Sequence, residues 1–276
     1  MVDADLVAAR VREAEPARYL SALYAPEARR GDLLALYAFD AEIAAIRDRV
    51  REPTAGEIRL QWWRDALASP SEEPTGNPIA DALRATMARH RLPIAPFNAM
   101  LEARIFDLYD DPMPDRGTLE GYLGETRSAL IQLAALVLDP LAAESTSEAA
   151  GHAGCAVGVG EILRDLPAIS RRGFNLIPDD LLASAGAARA SLASGSPEAA
   201  RAIEAMVALG REHLSRFSDA ARPLPASVRA AFLPVAAVAP MLSQAAKLGA
   251  SIMTRPIGVS PLRVQWRLFN AARGRW

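Results

Sequence analysis

Apolar residues recur at helical spacing along nearly the whole chain. In "LLALYAFDAEIAAIRDRV", Leu36, Ile43, Ile46 and Val50 fall on one stripe of a helix that Gly31 and Asp32 open, with Asp32 as its N-cap. Asp40, Ala44 and Asp48 follow at i, i+4 intervals on a different face. At about 1.5 Å of rise per residue the two acids stand about 12 Å apart, too far to share one small cation within this helix. Alanine and leucine dominate elsewhere, β-branched runs are scarce, and no stretch alternates with period two over strand length. This pattern predicts an all-α fold. Proline and glycine punctuate it at "SPSEEPTGNP", "DDPMPDRG", "RRGFNLIPDD" and "TRPIGVSP", leaving about ten helical segments. With no repeat of solenoid period and no long polar linker, residues 1–276 read as a single helical domain.

Composition narrows the classes. A chain of 276 residues that is 51% hydrophobic and 23% charged can bury a large core. A formal net charge of -2 argues against a general nucleic-acid binder. Cys155 is the only cysteine, so no intrachain disulfide can form; it reads as a small buried hydrophobe in a reducing compartment. His90, His152 and His213 lie far apart, without the local spacing of a metal site. The opening "MVDADLVAARVREAEP" carries acids and no apolar run, which is not the pattern of a signal peptide. "ALIQLAALVLDPLAA" and "AAFLPVAAVAPMLSQAAKLGA" look too short or too interrupted to span a bilayer. The expected location is cytoplasmic, at most peripheral on the inner membrane. The C-terminal "PLRVQWRLFNAARGRW" bears on that expectation. Leu262, Trp266 and Phe269 share a face among Arg263, Arg267, Arg273 and Arg275. That helix either rests on a membrane or packs its aromatics onto the domain.

Two stretches carry candidate chemistry. In "YAFDAEIAAIRD", Asp40, Glu42 and Asp48 are either metal ligands or the wet side of a helix. In "GVGEILRDLPAISRRGFNLIP" a helix meets Pro167 and ends in a basic turn. There Arg164, Arg171 and Arg172 either face a phosphate-bearing ligand or form a solvated cluster at a helix end.

The blocks "RGDLLALYAFDAEIAAIRD", "GEIRLQWWRDAL", "GYLGETRSALIQLAALVL" and "EILRDLPAISRRGFNLIP" stand in an order and spacing that resembles the squalene and phytoene synthase family over most of the chain. The resemblance implies an all-helical isoprenoid-synthase-type bundle around a central cavity. In active members two acid-rich helices hold Mg²⁺ ions, which clamp the diphosphates of farnesyl or geranylgeranyl substrates joined head to head. Laid onto this chain, the first acidic motif begins at Ala44 and Ala45, and only Asp48 at its far end survives. The second reads Glu161, Arg164-Asp165 and then Ala168-Ile169. Gly173 and Pro178 match the turn that follows, whereas Phe174 and Leu176 replace its Arg and Tyr. Asp40 and Glu161 are candidate substitutes for lost acids. Tyr37 and Tyr122 stand where active relatives place aromatic groups, and Arg164, Arg171 and Arg172 are candidates for a diphosphate.

"YAFDAEIAAIRD", "GETRSALIQLAALVLD" and "QWRLFNAARGR" resemble in particular a branch of that family with eroded acidic motifs, related to a mitochondrial assembly factor for respiratory complex I. This implies a non-catalytic protein that needs no cofactor. Its expected partners are respiratory-complex subunits or assembly factors, with a prenyl or lipid ligand in the cavity and no nucleic acid. The alternative is a Mg²⁺-dependent prenyltransferase whose metal Asp48 and Asp165 help to hold.

Overall fold

The computed structural model describes residues 4–71, 73–170 and 176–276. In chain order they begin with α1 (Ala4–Ala14), α2 (Pro16–Leu23), α3 (Glu27–Ala44), α4 (Ile46–Arg49), α5 (Pro53–Ala68) and α6 (Pro78–His90). Next come α7 (Ile94–Tyr109), α8 (Arg116–Leu123), α9 (Ala129–Leu138), α10 (Pro140–Ala143) and α11 (Ser147–Ser170). The chain continues with α12 (Asp179–Ser184), α13 (Pro197–Ala220), α14 (Arg229–Phe232), α15 (Val238–Leu248) and α16 (Pro261–Ala272). No strand occurs among the described residues, so the protein is all-α.

The chain forms two compact units. One comprises Met1–Tyr109, Ala129–Ser147 and Leu224–Leu233, and its centre is α3. Leu33, Leu36, Tyr37, Phe39 and Ile43 are buried there. Phe39 meets Trp63 of α5 and Phe97 of α7 edge to face, with centroids 5.2 and 5.6 Å apart. That geometry suits the aromatic quadrupoles and adds to the burial of all three rings. In α9, Leu130, Ile131, Leu133, Ala134, Ala135, Val137 and Leu138 are all buried, which is why its sequence shows no polar face.

Two sequence expectations fail in α3. The helix starts at Glu27 after Pro26, so Asp32 lies within it and caps nothing. Asp32 is instead buried as an acceptor for Thr86 Oγ1 at 3.2 Å and His90 Nε2 at 2.7 Å, with Arg89 also paired to it. The helix also stops at Ala44 and resumes as the short α4, so Asp40 and Asp48 do not share one helical face. Val50 lies beyond α4 in extended backbone.

The second unit comprises Asp110–Ser128, Glu148–Pro223 and Pro234–Trp276, and α11 is its long central helix. Glycines let neighbours approach it closely. A Cβ at Gly154 would meet Ser128 Oγ at 2.2 Å and its backbone N at 2.4 Å, at the end of the π-helical turn Gly124–Ser128. A Cβ at Gly158 would strike Leu123. α13 and α15 pack together in the same unit, with Gly210 against Leu242.

Among the described residues one stretch, Ala226–Met253, is long and apolar enough to cross a membrane, although its interruptions had argued against that. Its 18-residue apolar window is 67% buried, and the stretch alternates between α14, α15 and the 3₁₀ turns Leu233–Ala237 and Gly249–Met253. Pro234 and Pro240 remove backbone donors within it.

Candidate functional site

In the first unit, α3 and α4 present Tyr37, Asp40, Glu42 and Asp48. Asp40 is 1% exposed, and two arginines hold it. Arg18 Nη1 donates to Oδ2 at 2.7 Å and Arg104 Nη2 donates to Oδ1 at 3.1 Å. Both arginines are buried as well, and Arg104 also reaches Asp107 at 3.1 Å. Asp40 therefore balances two desolvated cations, which would otherwise cost several kcal/mol apiece. Glu42 receives Arg10 Nε at 2.6 Å and Arg49 Nη1 at 2.7 Å. Burial pushes the Glu42 carboxyl up, but those hydrogen bonds outweigh it and hold the group below its ordinary range. Asp48 is exposed on α4, and its charge acts on neighbouring Arg49.

Tyr37 is buried, and its hydroxyl has no hydrogen-bond partner. Burial pushes that hydroxyl up to about 12, offset only in part by the charge of Arg18. An unpaired buried hydroxyl costs about 1–3 kcal/mol. In the second unit Tyr122 is half-buried near the end of α8, where its carbonyl accepts from Thr126 Oγ1 at 2.7 Å.

The acids of α11 are also engaged by arginine. Arg127 Nε donates to Glu161 Oε2 at 2.5 Å, in a pair that is nearly buried. Arg164 and Asp165 bind each other in bidentate fashion, Nε to Oδ1 and Nη2 to Oδ2, both at 2.8 Å. Asp165 and Arg164 are partly solvated, at 45% and 41% side-chain exposure. Arg171 and Arg172 lie outside the described residues. Mg²⁺ requires a near-octahedral shell of oxygens, several of them from carboxylates or substrate. The described residues contain no group of three or more His, Cys, Asp or Glu placed to hold a metal ion. Asp40, Glu161 and Asp165 already carry guanidinium partners that a cation would have to displace.

A further polar cluster escaped the sequence reading because its members are far apart in the chain. Glu120 of α8, His152 of α11 and His213 of α13 form a chain: His213 Nε2 lies 3.0 Å from Glu120 Oε1, and the two histidine Nδ1 atoms are 3.1 Å apart. Arg116 binds Glu120 at 2.7 Å and both oxygens of Glu212 at 3.0 Å. Burial lifts the Glu120 carboxyl, but the bonds from Arg116 and His213 bring it net below its usual range. Burial, with the nearby His213 and Arg216, lowers His152. Burial and the charge of Glu120 push the Cys155 thiol up to about 11. The one local signal the sequence holds for it is the i, i+4 spacing of Arg116 and Glu120. The arrangement is a half-buried tie between three helices.

The family described as squalene/phytoene synthase matches residues 11–270. The chain is 31% identical over 164 residues to "NADH dehydrogenase (ubiquinone) complex I, assembly factor 6" of Bos taurus, covering 59% of this chain and 49% of that protein. The protein of the same name from Homo sapiens is 30% identical over an equal length and equal shares. The chain thus spans about half the length of these mammalian relatives. The Dictyostelium discoideum homolog is 24% identical over 260 residues, 92% of this chain and 73% of its own. Among solved structures, a dehydrosqualene synthase in complex with ligand aligns with a TM-score of 0.82 at 17% identity, over 98% of this chain and 95% of that one. Squalene synthase HpnC from Alicyclobacillus acidocaldarius aligns with a TM-score of 0.72 at 18% identity, over 90% and 94%. At such identities the structural likeness establishes the fold.

Proposed function

The chain belongs to the squalene/phytoene synthase family, and we propose that it keeps the family's helical scaffold without its metal chemistry and acts in the assembly of a respiratory NADH dehydrogenase. The observation that carries the non-catalytic reading is the pairing of three of the four candidate acids with arginine: Asp40 with Arg18 and Arg104, Glu161 with Arg127, Asp165 with Arg164. The positions around them that would carry further carboxylates are Ala44, Ala45, Ala168 and Ile169. Losing one electrostatic stabiliser costs about 10²–10³ in rate, and several lost from one cluster leave little turnover even though such losses do not add. The protein accordingly works without Mg²⁺. The assembly role draws its support from the relatives, whose names join this family to complex I.

The test of catalysis is pyrophosphate release from farnesyl or geranylgeranyl diphosphate by the purified chain, with and without Mg²⁺. The expected result is none above background. Mg²⁺-dependent release that Asp48→Ala or Asp165→Ala abolishes would overturn the reading and restore a prenyltransferase. The assembly role has its own test, affinity capture of the tagged chain from respiring membranes. Subunits or assembly factors of NADH dehydrogenase should be enriched, and deletion should lower NADH-oxidase activity; unchanged activity after deletion would remove the proposal.

A further inference from the structure

The C-terminal helix leaves an apolar face uncovered. Leu262 is 77% exposed, Trp266 65% and Phe269 39%, whereas Leu268 and Ala271 are buried and fasten α16 to its unit. The alternative in which this aromatic face packs onto the domain therefore fails. The face is ordered by its own contacts: Trp266 stacks on Phe269 with centroids 6.0 Å apart, and the Arg273 guanidinium lies 3.5 Å above the Phe269 ring. Beside it runs a groove of about 570 Å³ between α13, the 235–239 segment and α16. Phe217 and Trp276, edge to face at 5.0 Å, line it together with Arg263, Arg267 and Arg275.

Charge decides what can cover this face. Residues 220–276 contain eight basic residues and no acid, so the net charge of -2 divides into +8 there and -10 elsewhere. Among the described residues, no carboxylate pairs with Arg263, Arg267, Arg273 or Arg275. Exposed Leu and Trp flanked by such arginines match an interfacial helix, whose rings enter the acyl boundary while guanidiniums meet phosphates.

We propose that α16 is a docking surface for an anionic lipid bilayer, with Leu262, Trp266 and Phe269 entering the headgroup boundary. Arg263, Arg267 and Arg275 at the groove take lipid phosphates. An arginine near an anionic surface contributes about fivefold to partitioning, so losing two lowers it about 25-fold. The inference goes beyond the assembly reading and is measured without it.

The test floats the full chain with vesicles of phosphatidylcholine alone or with about one-third phosphatidylglycerol. Flotation is expected only with the anionic vesicles, with a blue shift of tryptophan emission and release in high salt as charges are screened. Arg263→Gln with Arg267→Gln, and separately Leu262→Glu, should each lower binding at least tenfold while thermal unfolding stays unchanged. Leu141→Glu, at a site 83% exposed in the other unit, should bind like the parent. Equal binding to neutral vesicles, or binding that the α16 variants leave intact, overturns the proposal. Absence of flotation by the folded chain also overturns it and leaves an acidic protein surface as the occupant.

Discussion

Asp40 lies between Arg18 and Arg104 with all three side chains buried. Removing its carboxylate strands two desolvated guanidiniums, so Asp40→Ala should cost about 3–5 kcal/mol in urea unfolding. Asp165→Ala breaks a half-solvated pair between neighbours and should cost no more than about 1 kcal/mol. If the two variants proved equally mild, Asp40 would not be the counter-ion described here. None of this could be read beforehand: Arg18 and Arg104 stand 22 and 64 residues from Asp40, and neither propensity nor spacing pairs charges over such intervals. Cys155 was legible, because a lone cysteine among small apolar residues reads as core. Burial pushes its thiol up to about 11, so little thiolate exists at neutral pH. Alkylating reagents should modify it only after denaturation; rapid modification of the native chain would contradict its burial.

Between helices, close approach rather than hydrophobicity sets the geometry of α11. The backbone of Ser128 occupies the place of a Cβ at Gly154, and backbone cannot swing aside as a side chain does. Gly154→Ala should therefore destabilise by about 1–3 kcal/mol despite the better helix propensity of alanine, as measured by denaturant midpoint. Gly151→Ala, with nothing within 4 Å, is the control that should be neutral or stabilising. The tie among Glu120, His152 and His213 adds a pH dependence. His152 titrates below its ordinary 6.5 in the folded chain, through burial and then the charges of His213 and Arg216, against the pull of Glu148 and Glu120. As pH falls through 6.5 the unfolded chain takes up this proton first, so stability present above 6.5 is lost toward the lower folded value. Melting temperature should drop on acidification through this window, and the drop should shrink in His152→Gln. An unaltered slope would place the pH dependence elsewhere. At this scale the sequence showed where helices lie but not where α3 begins and breaks. Asp32 after Gly31 has the form of an N-cap, yet it lies inside a helix that starts at Glu27, buried against Thr86 and His90.

For the whole chain, helical periodicity and ordered blocks were enough to predict the all-α class and the family, because many weak positions add up over 276 residues. Catalysis rests on a handful of carboxylates, and there the identity of a residue says less than what holds it. A stability measurement reads that difference without assuming a substrate. An ion bound only by the native chain stabilises it by RT ln(1 + [L]/Kd), about 2.7 kcal/mol at a hundredfold excess over Kd. For a chain of this size that raises Tm by about 5–10 °C. With Asp40, Glu161 and Asp165 committed to arginine, this protein should melt within about 1 °C of the same temperature in millimolar Mg²⁺ and in EDTA, with or without farnesyl diphosphate. A saturating rise that Asp48→Ala removes would mean that the exposed acid of α4 still nucleates a metal site, and the non-catalytic reading would fall with it. Replacing Arg127 by Gln separates the electrostatic explanation from simple loss of ligands. If Arg127 is what keeps Glu161 from a cation, the variant should gain Mg²⁺-dependent stability that the parent lacks; if too few ligands remain, it should only lose stability.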